Sequence, residues 1–143
     1  MSEQSFANHA KMVPLYHYVT FTLVAVPVLY FLVQVVRAPS VAAVMTALFG
    51  VGVAMTMIYA RVFPLGVQDR VIRLEERIRL ERLLPGDLKP RIAELSTEAL
   101  VGLRFASDEE VAELVRKVLA GELADRKSIK AAVRGWRADH QRI

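Results

Sequence analysis

Two long apolar stretches constrain the fold of this 143-residue chain more than any other feature of its sequence. No charged side chain occurs at positions 12–36 or at positions 38–60. Each stretch is close to the roughly 20 residues with which an α-helix crosses a hydrocarbon core of about 30 Å. The sequence therefore predicts a transmembrane hairpin, with helices at 16–36 and 41–63 and with Ser40 as the cap of the second helix.

Before the hairpin, residues 1–15 form a polar arm that carries His9, and His17 follows at the start of the first helix. One hypothesis makes these histidines ligands of haem or of a metal near the membrane interface. The alternative is an anchoring belt, in which His17 and its neighbours Tyr16 and Tyr18 place polar tips among the headgroups. Because a helical spacing of eight residues separates the histidines by about two turns, we favour the anchoring belt.

The second predicted span carries a row of small side chains at spacings of four, three and four residues. The row consists of Ala43, Ala47, Gly50 and Ala54. Such a row lets two helix backbones approach closely in a membrane. It can pack on the first span or on another protein, and the first arrangement is the more economical.

Basic residues are distributed unequally between the two ends of the predicted hairpin. Its turn carries Arg37 alone, whereas several basic side chains lie near the membrane at the open end. These are Lys11, Arg61, Arg70, Arg73, Arg77, Arg79 and Arg82. By the positive-inside rule, both chain termini are expected in the cytoplasm, as in a multi-pass protein of the bacterial inner membrane.

After the hairpin, Pro64 and Gly66 predict a break, and residues 64–143 predict a cytoplasmic helical tail. Its first helix, at 67–84, has an apolar stripe of coiled-coil spacing, with Glu75 and Arg79 as an exposed (i, i+4) pair. The stripe consists of Val67, Val71, Leu74 and Ile78. It is interpreted as a short dimerising seam, as a face lying on anionic lipid, or as ordinary packing against later tail helices, which we favour.

Three further helices are expected in the tail, separated by short links. The first covers 88–103. The second is capped by Ser107 and ends at Gly121 as a left-handed residue after the helix. The third begins after Asp125 and runs to about Trp136. The fold class is therefore all-α: a transmembrane helical hairpin followed by a small cytoplasmic helical region.

The sequence contains no pattern that indicates catalysis, and its lack of cysteine excludes disulfides and thiol chemistry. The acidic run at 108–113 is interpreted as stabilisation of a helix N-terminus and not as a metal or catalytic cluster. From Arg61 onward, 17 basic residues are nearly balanced by 14 acidic ones. Since Trp136 is the only tryptophan beside the basic residues at 126–137, no aromatic platform for nucleic acid is expected.

Four stretches of the chain resemble a known family. They are QSFANHAKMVPLYHY at 4–18, LEERIRLERLLP at 74–85, ALVGLRFASDEEVAELVRKVL at 99–119 and DRKSIKAAVRGWRADHQRI at 125–143. By these stretches the chain is similar to small bacterial membrane proteins of the DUF6526 type. The resemblance implies two membrane helices, a helical cytoplasmic region, no assigned activity and no site residues.

Together these patterns predict a non-enzymatic accessory or scaffolding subunit without a cofactor. Its expected partners are the lipid bilayer and either further copies of itself or a larger membrane complex, with no nucleic acid. The alternatives are a haem- or metal-binding protein that uses His9 and His17, and a sensor whose tail binds the membrane surface.

Overall fold

The computed structural model describes Ser5 and residues 12–139, and this part of the chain is built from helices. They are a π-helical turn at Leu15–Thr20, α1 at Phe21–Arg37, α2 at Val41–Leu83, a 3-10 helix at Lys89–Glu94, α3 at Thr97–Leu103, α4 at Val111–Leu119 and α5 at Arg126–Ala132. No β-strand occurs among the described residues, where Ala106 and Trp136 form an isolated antiparallel bridge. The predicted all-α class is confirmed.

The described chain divides into two compact units. The first, which we call the helix pair, comprises Met12–Pro64, and the second, which we call the tail, comprises the described residues from Leu65 onward. Helix α2 contributes to both units, so its two halves are built into different surroundings.

Two helical segments are long and apolar enough to cross a membrane, Leu15–Arg37 and Val41–Leu83. In the helix pair, the Tyr16 hydroxyl donates to the carbonyl of Met57 at 2.6 Å and so ties the two segments together. The amide of Ala43 donates to the Ser40 hydroxyl at 3.1 Å, which confirms the predicted cap of α2.

The predicted helix break at Pro64 and Gly66 is wrong, because α2 continues through both residues to Leu83. A proline removes one backbone donor from a helix, yet its fixed φ near −65° is itself helical. Glycine also adopts helical angles at a moderate entropic cost. Pro64 and Gly66, although of types that often end helices, therefore lie inside α2.

The tail has a hydrophobic core to which every one of its helices contributes. Helix α2 supplies Leu80 at 0% exposure, and α5 supplies Ile129 at 1%. The core cluster consists of Leu80, Leu84, Leu88, Ile92, Leu95, Ala99, Leu100, Leu103, Ala106, Val111, Leu114, Val115 and Ile129. Burial of these side chains from water is the main force that holds the tail together.

The single helix predicted at 88–103 is in fact two elements, a 3-10 helix and α3. Ser96 is extended between them, and its hydroxyl accepts a hydrogen bond from the amide of Ala99 at 3.1 Å. Serine competes with the helix by bonding nearby backbone amides, so it starts a new helix here rather than continuing the old one.

Helix α4 begins at Val111, later than a helix capped by Ser107 would begin. The carboxylate of Glu110 accepts from the amide of Ser107 at 3.3 Å, which is one half of the expected capping box. At the other end Gly121 has a φ of 79°, which confirms the predicted left-handed residue after the helix.

Helix α5 has the predicted cap at Asp125, whose side chain accepts from the amide of Ser128 at 2.6 Å. It ends at Ala132 and not near Trp136 as predicted, because the chain turns extended at Val133. The residues that follow it pair with an earlier segment of the tail.

Candidate interaction surface

The tail half of α2 has two faces of opposite character. Its inner row consists of Ile72, Glu76 and Leu80, all at most 5% exposed, and Leu84 at 3% continues the row just after α2 ends. Its outer stripe consists of Val67, Val71, Leu74 and Ile78, at 61%, 49%, 61% and 47% exposure. The favoured expectation that this stripe packs against the tail's own later helices is therefore wrong. The inner row packs against the later tail helices instead. Because Glu76 interrupts its apolar pattern, the sequence does not indicate this row.

Glu76 is the charged member of the inner row and is only 5% exposed. Its carboxylate lies 3.0 Å from the Arg79 guanidinium and 3.5 Å from that of Arg137. Burial raises the pKa of the Glu76 carboxyl above its usual value, and the two guanidinium groups oppose that rise without cancelling it. The Glu76 carboxylate therefore links α2 to Arg137 by an ion pair in a site that water hardly reaches.

Arg79 connects α2 to the segment 104–110 of the tail. Besides Glu76, its guanidinium donates to the carbonyl of Ala106 at 2.7 Å and to the Asp108 carboxylate at 3.0 Å. The predicted surface pair of Arg79 with Glu75 is wrong, because Arg79 turns inward and its side chain is only 12% exposed. A guanidinium has five donors in a rigid fork, which suits this bridging position.

Residues 133–139, which we call the strap, lie along the segment 104–110. The amide of Arg137 donates to the carbonyl of Phe105 at 2.7 Å, and the Trp136 ring stacks on the Phe105 ring at 4.5 Å. The Glu110 carboxylate accepts from the amides of Arg134 and Gly135 at 3.0 Å each. The strap is thus fixed to the tail by backbone and side-chain bonds together.

Contacts within the tail explain the acidic run at 108–113 and the basic residues at 126–137. In the acidic run, Asp108 forms an ion pair with Arg79, and Glu110 accepts hydrogen bonds from the strap. These carboxylates therefore connect segments of the tail, in addition to the expected stabilisation of a helix N-terminus. In the basic region, Arg126 pairs with Asp69 and Glu98. The contacts made by these groups are internal to the tail.

An open groove of about 1040 Å³ runs along the tail between α2 and the strap. Val71 and Ile78 of the outer stripe lie on its α2 side, together with Glu75. Among the described residues no group of three metal-ligating side chains converges, here or elsewhere. The groove and stripe therefore present an apolar row edged by charged side chains.

His17, one of the two candidate ligands, contacts its own helix. Its Nδ1 lies 2.9 Å from the carbonyl oxygen and 3.1 Å from the amide nitrogen of Val13, and its ring meets that of Tyr16 edge-on. His9 lies outside the described residues. Nothing described brings a second ligand to His17.

One member of the row of small residues in the helix pair, Gly50, packs on α1. Ala47 and Gly50 are buried, while Ala43 and Ala54 are half-buried. A Cβ added to Gly50 would lie 3.2 Å from Val28 Cγ2 and 3.3 Å from Phe31 Cδ2. At Gly50, therefore, the row packs on α1.

A family model matches the whole chain, residues 1–143, and its description is a family of unknown function, DUF6526. The chain belongs to this family. No curated protein and no solved structure matches it. The expected family resemblance is therefore confirmed, while the activity of this DUF6526 member has to be argued from its own residues.

Sequence reasoning missed the three polar residues that organise the tail of this DUF6526 member, namely Glu76, Arg79 and Glu110. Only the position of Glu76 was available as a signal. It falls four residues after Ile72 and four before Leu80, within a helical row of apolar residues. A charged residue at such a position indicates a buried ion pair, and Arg79 lies within one turn of it.

Proposed function

We propose that this chain is a small integral protein of the bacterial inner membrane that acts by binding, as an accessory or scaffolding subunit, and not by catalysis. The observation that carries the proposal is the outer stripe of Val67, Val71, Leu74 and Ile78. It is a row of four apolar side chains, all about half or more exposed, on a tail that already has a closed core.

The membrane location is supported by the helix pair. Its large apolar side chains are turned outward, with Leu23 at 69%, Leu48 at 61% and Phe49 at 73% exposure. Such a surface is unfavourable in water and is suited to lipid. The excess of basic residues at the open end of the two apolar segments favours cytoplasmic termini.

The binding role is supported by how the tail uses its polar groups. Glu76, Arg79, Glu110 and Arg126 are all engaged within the tail, as a structural role requires. Exposed apolar rows of this kind mark protein or membrane contacts in folded domains. The haem alternative gains no support from the described contacts of His17.

The experiment that tests this function purifies the full chain in a mild detergent and measures the mass of the particle. A mass above that of one chain is expected, together with a requirement for detergent. Leu74→Glu should reduce the mass to that of one chain, because it places a charge in the centre of the stripe. Ala131→Glu, at an exposed site of α5, should leave the mass unchanged.

Two outcomes would overturn the proposal. One is purification of the chain in soluble form without detergent. The other is a single-chain mass for the unaltered protein, without any bound partner, in membranes solubilised as mildly as possible. A Soret band in the purified protein that disappears when His17 becomes alanine would instead establish the haem alternative.

A further inference from the structure

The outer stripe of α2 has the residue pattern of a parallel two-stranded seam. In heptad notation, Val71 and Ile78 occupy a positions, while Val67 and Leu74 occupy d positions. β-Branched residues at a together with leucine at d favour two parallel strands over larger assemblies. All four side chains are exposed, so they are free to enter such a seam.

The charges on either side of the stripe are complementary between two copies. Arg70 is at a g position, and Glu75 is at the e position that a parallel partner would bring opposite it. Within the described chain neither residue has an ion-pair partner, and Glu75 borders the open groove. By two-fold symmetry, this contact occurs twice in a dimer.

The same pattern shows where the seam ends. The next g and e positions hold Arg77 and Arg82, which repel between copies, and the next d position holds Glu81. The complementary part is therefore short, from Val67 to Ile78. Seams this short are marginal in solution, and confinement of both copies to one membrane would raise their effective concentration.

We infer that the outer stripe docks a second copy of this chain as a parallel, in-register helix pair, in which Arg70 of each copy pairs with the partner's Glu75. This inference rests on the proposed function, because it names the partner of the same surface. Copies inserted the same way in one membrane have α2 helices that run in the same direction, which fixes the parallel arrangement. An anionic lipid surface is a poorer match, since Glu75 lies along one edge of the stripe.

The test uses the natural absence of cysteine. Full-length chains with one cysteine each, Val71→Cys, Leu74→Cys or Ile78→Cys, are oxidised in isolated membranes and separated by mass under denaturing conditions. Each should form a disulfide-linked dimer, because equivalent a and d positions face each other across a parallel two-stranded seam. Ala131→Cys, exposed on α5, is the matched control and should stay a single chain.

A charge exchange supplies a second measurement that does not depend on seam packing. Arg70→Glu is introduced into the Leu74→Cys chain. It places a glutamate at position 70 of each copy opposite Glu75 of the other, so two repulsive contacts form per dimer. The yield of dimer should fall roughly three- to tenfold. Adding Glu75→Arg should restore the yield, because the pairs are then reversed but intact. Arg70 is exposed and has no ion-pair partner within the described chain. Arg70→Glu should therefore leave the folding of the tail unaffected.

Several outcomes would overturn the inference. They are no dimer from Val71→Cys, dimers only when Val71→Cys and Leu74→Cys chains are mixed, since an antiparallel pair places a opposite d, or no rescue by the charge exchange. If the chain stays in the membrane fraction and its particle mass reveals a different protein, the second copy is excluded while the binding function stands. If the chain leaves the membrane fraction without detergent, the proposed function itself fails.

Discussion

The helix pair and the tail use apolar side chains in opposite ways, and one helix shows both. On α2, Leu48 in the helix pair is 61% exposed, whereas Leu80 in the tail is 0% exposed. In the helix pair Gly50 lets α2 approach Val28 and Phe31 of α1 closely, and many large side chains point outward. In the tail the large side chains of the core are inside, as burial from water requires, and the outer stripe is the exception.

On the proposed membrane location of the helix pair, the difference teaches that the solvent determines which side of a helix carries leucine. Lipid tails are as apolar as leucine, so helices in a membrane gain little by hiding it and pack through close backbone approach. In water, by contrast, burying a leucine side chain stabilises the fold, because its apolar surface is removed from water. The predictions that follow test this contrast, from the largest expected effect to the smallest.

Leu80→Ala should destabilise the tail by roughly 2–5 kcal/mol, because it removes a fully buried side chain and leaves a cavity. The fluorescence of Trp136, the only tryptophan, follows unfolding of the tail in detergent as denaturant is added. Leu74→Ala on the outer stripe is the control and should change tail stability by less than about 0.5 kcal/mol. Equal losses at the two sites would contradict the assignment of inner and outer faces.

Leu48→Arg should oppose insertion of its helix by about 3–4 kcal/mol, because arginine is far costlier than leucine near the centre of a span. The measurement is the share of the chain that stays with membranes after alkaline washing. Leu74→Arg is the control, since Leu74 has the same 61% exposure on the same helix. If both substitutions release the chain, or neither weakens its retention, the contrast of solvents is wrong.

Gly102→Ala should destabilise the tail by about 1 kcal/mol. The new Cβ would lie 2.9 Å from Ile129 Cγ2 and 3.0 Å from its Cβ, and this crowding exceeds the gain in helix propensity. Gly86→Ala meets nothing within 4 Å and is the control. In the helix pair, Gly50→Ala should have a smaller effect, since its contacts begin at 3.2 Å. A stabilised Gly102→Ala chain would show that Ile129 moves freely.

The smallest effects are in the pH dependence of tail stability, where two carboxyls act in opposite directions. Burial raises the pKa of Glu76 above 4.5, so its contribution is present below pH 4.5 and is lost as the pH rises through the raised pKa. Hydrogen bonds from Ser128 lower the pKa of Asp125 below 3.8, so its contribution is present above pH 3.8 and is lost as the pH falls through the lowered pKa.

Denaturation of the tail between pH 3 and 7 separates the two carboxyls. Glu76→Gln should remove the loss of stability above pH 4.5, and Asp125→Asn should reduce the loss at the acid end while keeping the cap. If Glu76→Gln leaves the loss above pH 4.5 in place, the buried carboxyl is not its source.

Much of this fold could be predicted because the relevant signals are local. The two apolar segments, the Ser40 and Asp125 caps and the left-handed Gly121 each depend on residues within a few positions of one another. The break expected at Pro64 failed because a proline alone leaves both outcomes open. Which one occurs depends on what surrounds the helix, and that information is not local.

The inner face of α2 could not be predicted for a related reason. Both the row with Leu74 and the row with Leu80 have helical spacing, and the apolar pattern favours the first because the second contains Glu76. Glu76 is acceptable inside because Arg79 pairs with it on the same helix and Arg137, 61 positions later, reaches it from the strap. Pairing over such a separation has no signature in a single sequence.

The strap also determines when the tail can be completed during synthesis. Its residues follow Phe105 by about 30 positions, which ribosomes translate in about 2–6 s. Until then Phe105 lacks its stacking partner and the Glu110 carboxylate lacks the amides that it binds. Both apolar segments have left the ribosome's catalytic centre well before this point. A nascent chain that stops short of Trp136 would thus expose an open tail to proteases and chaperones after its two apolar segments are made.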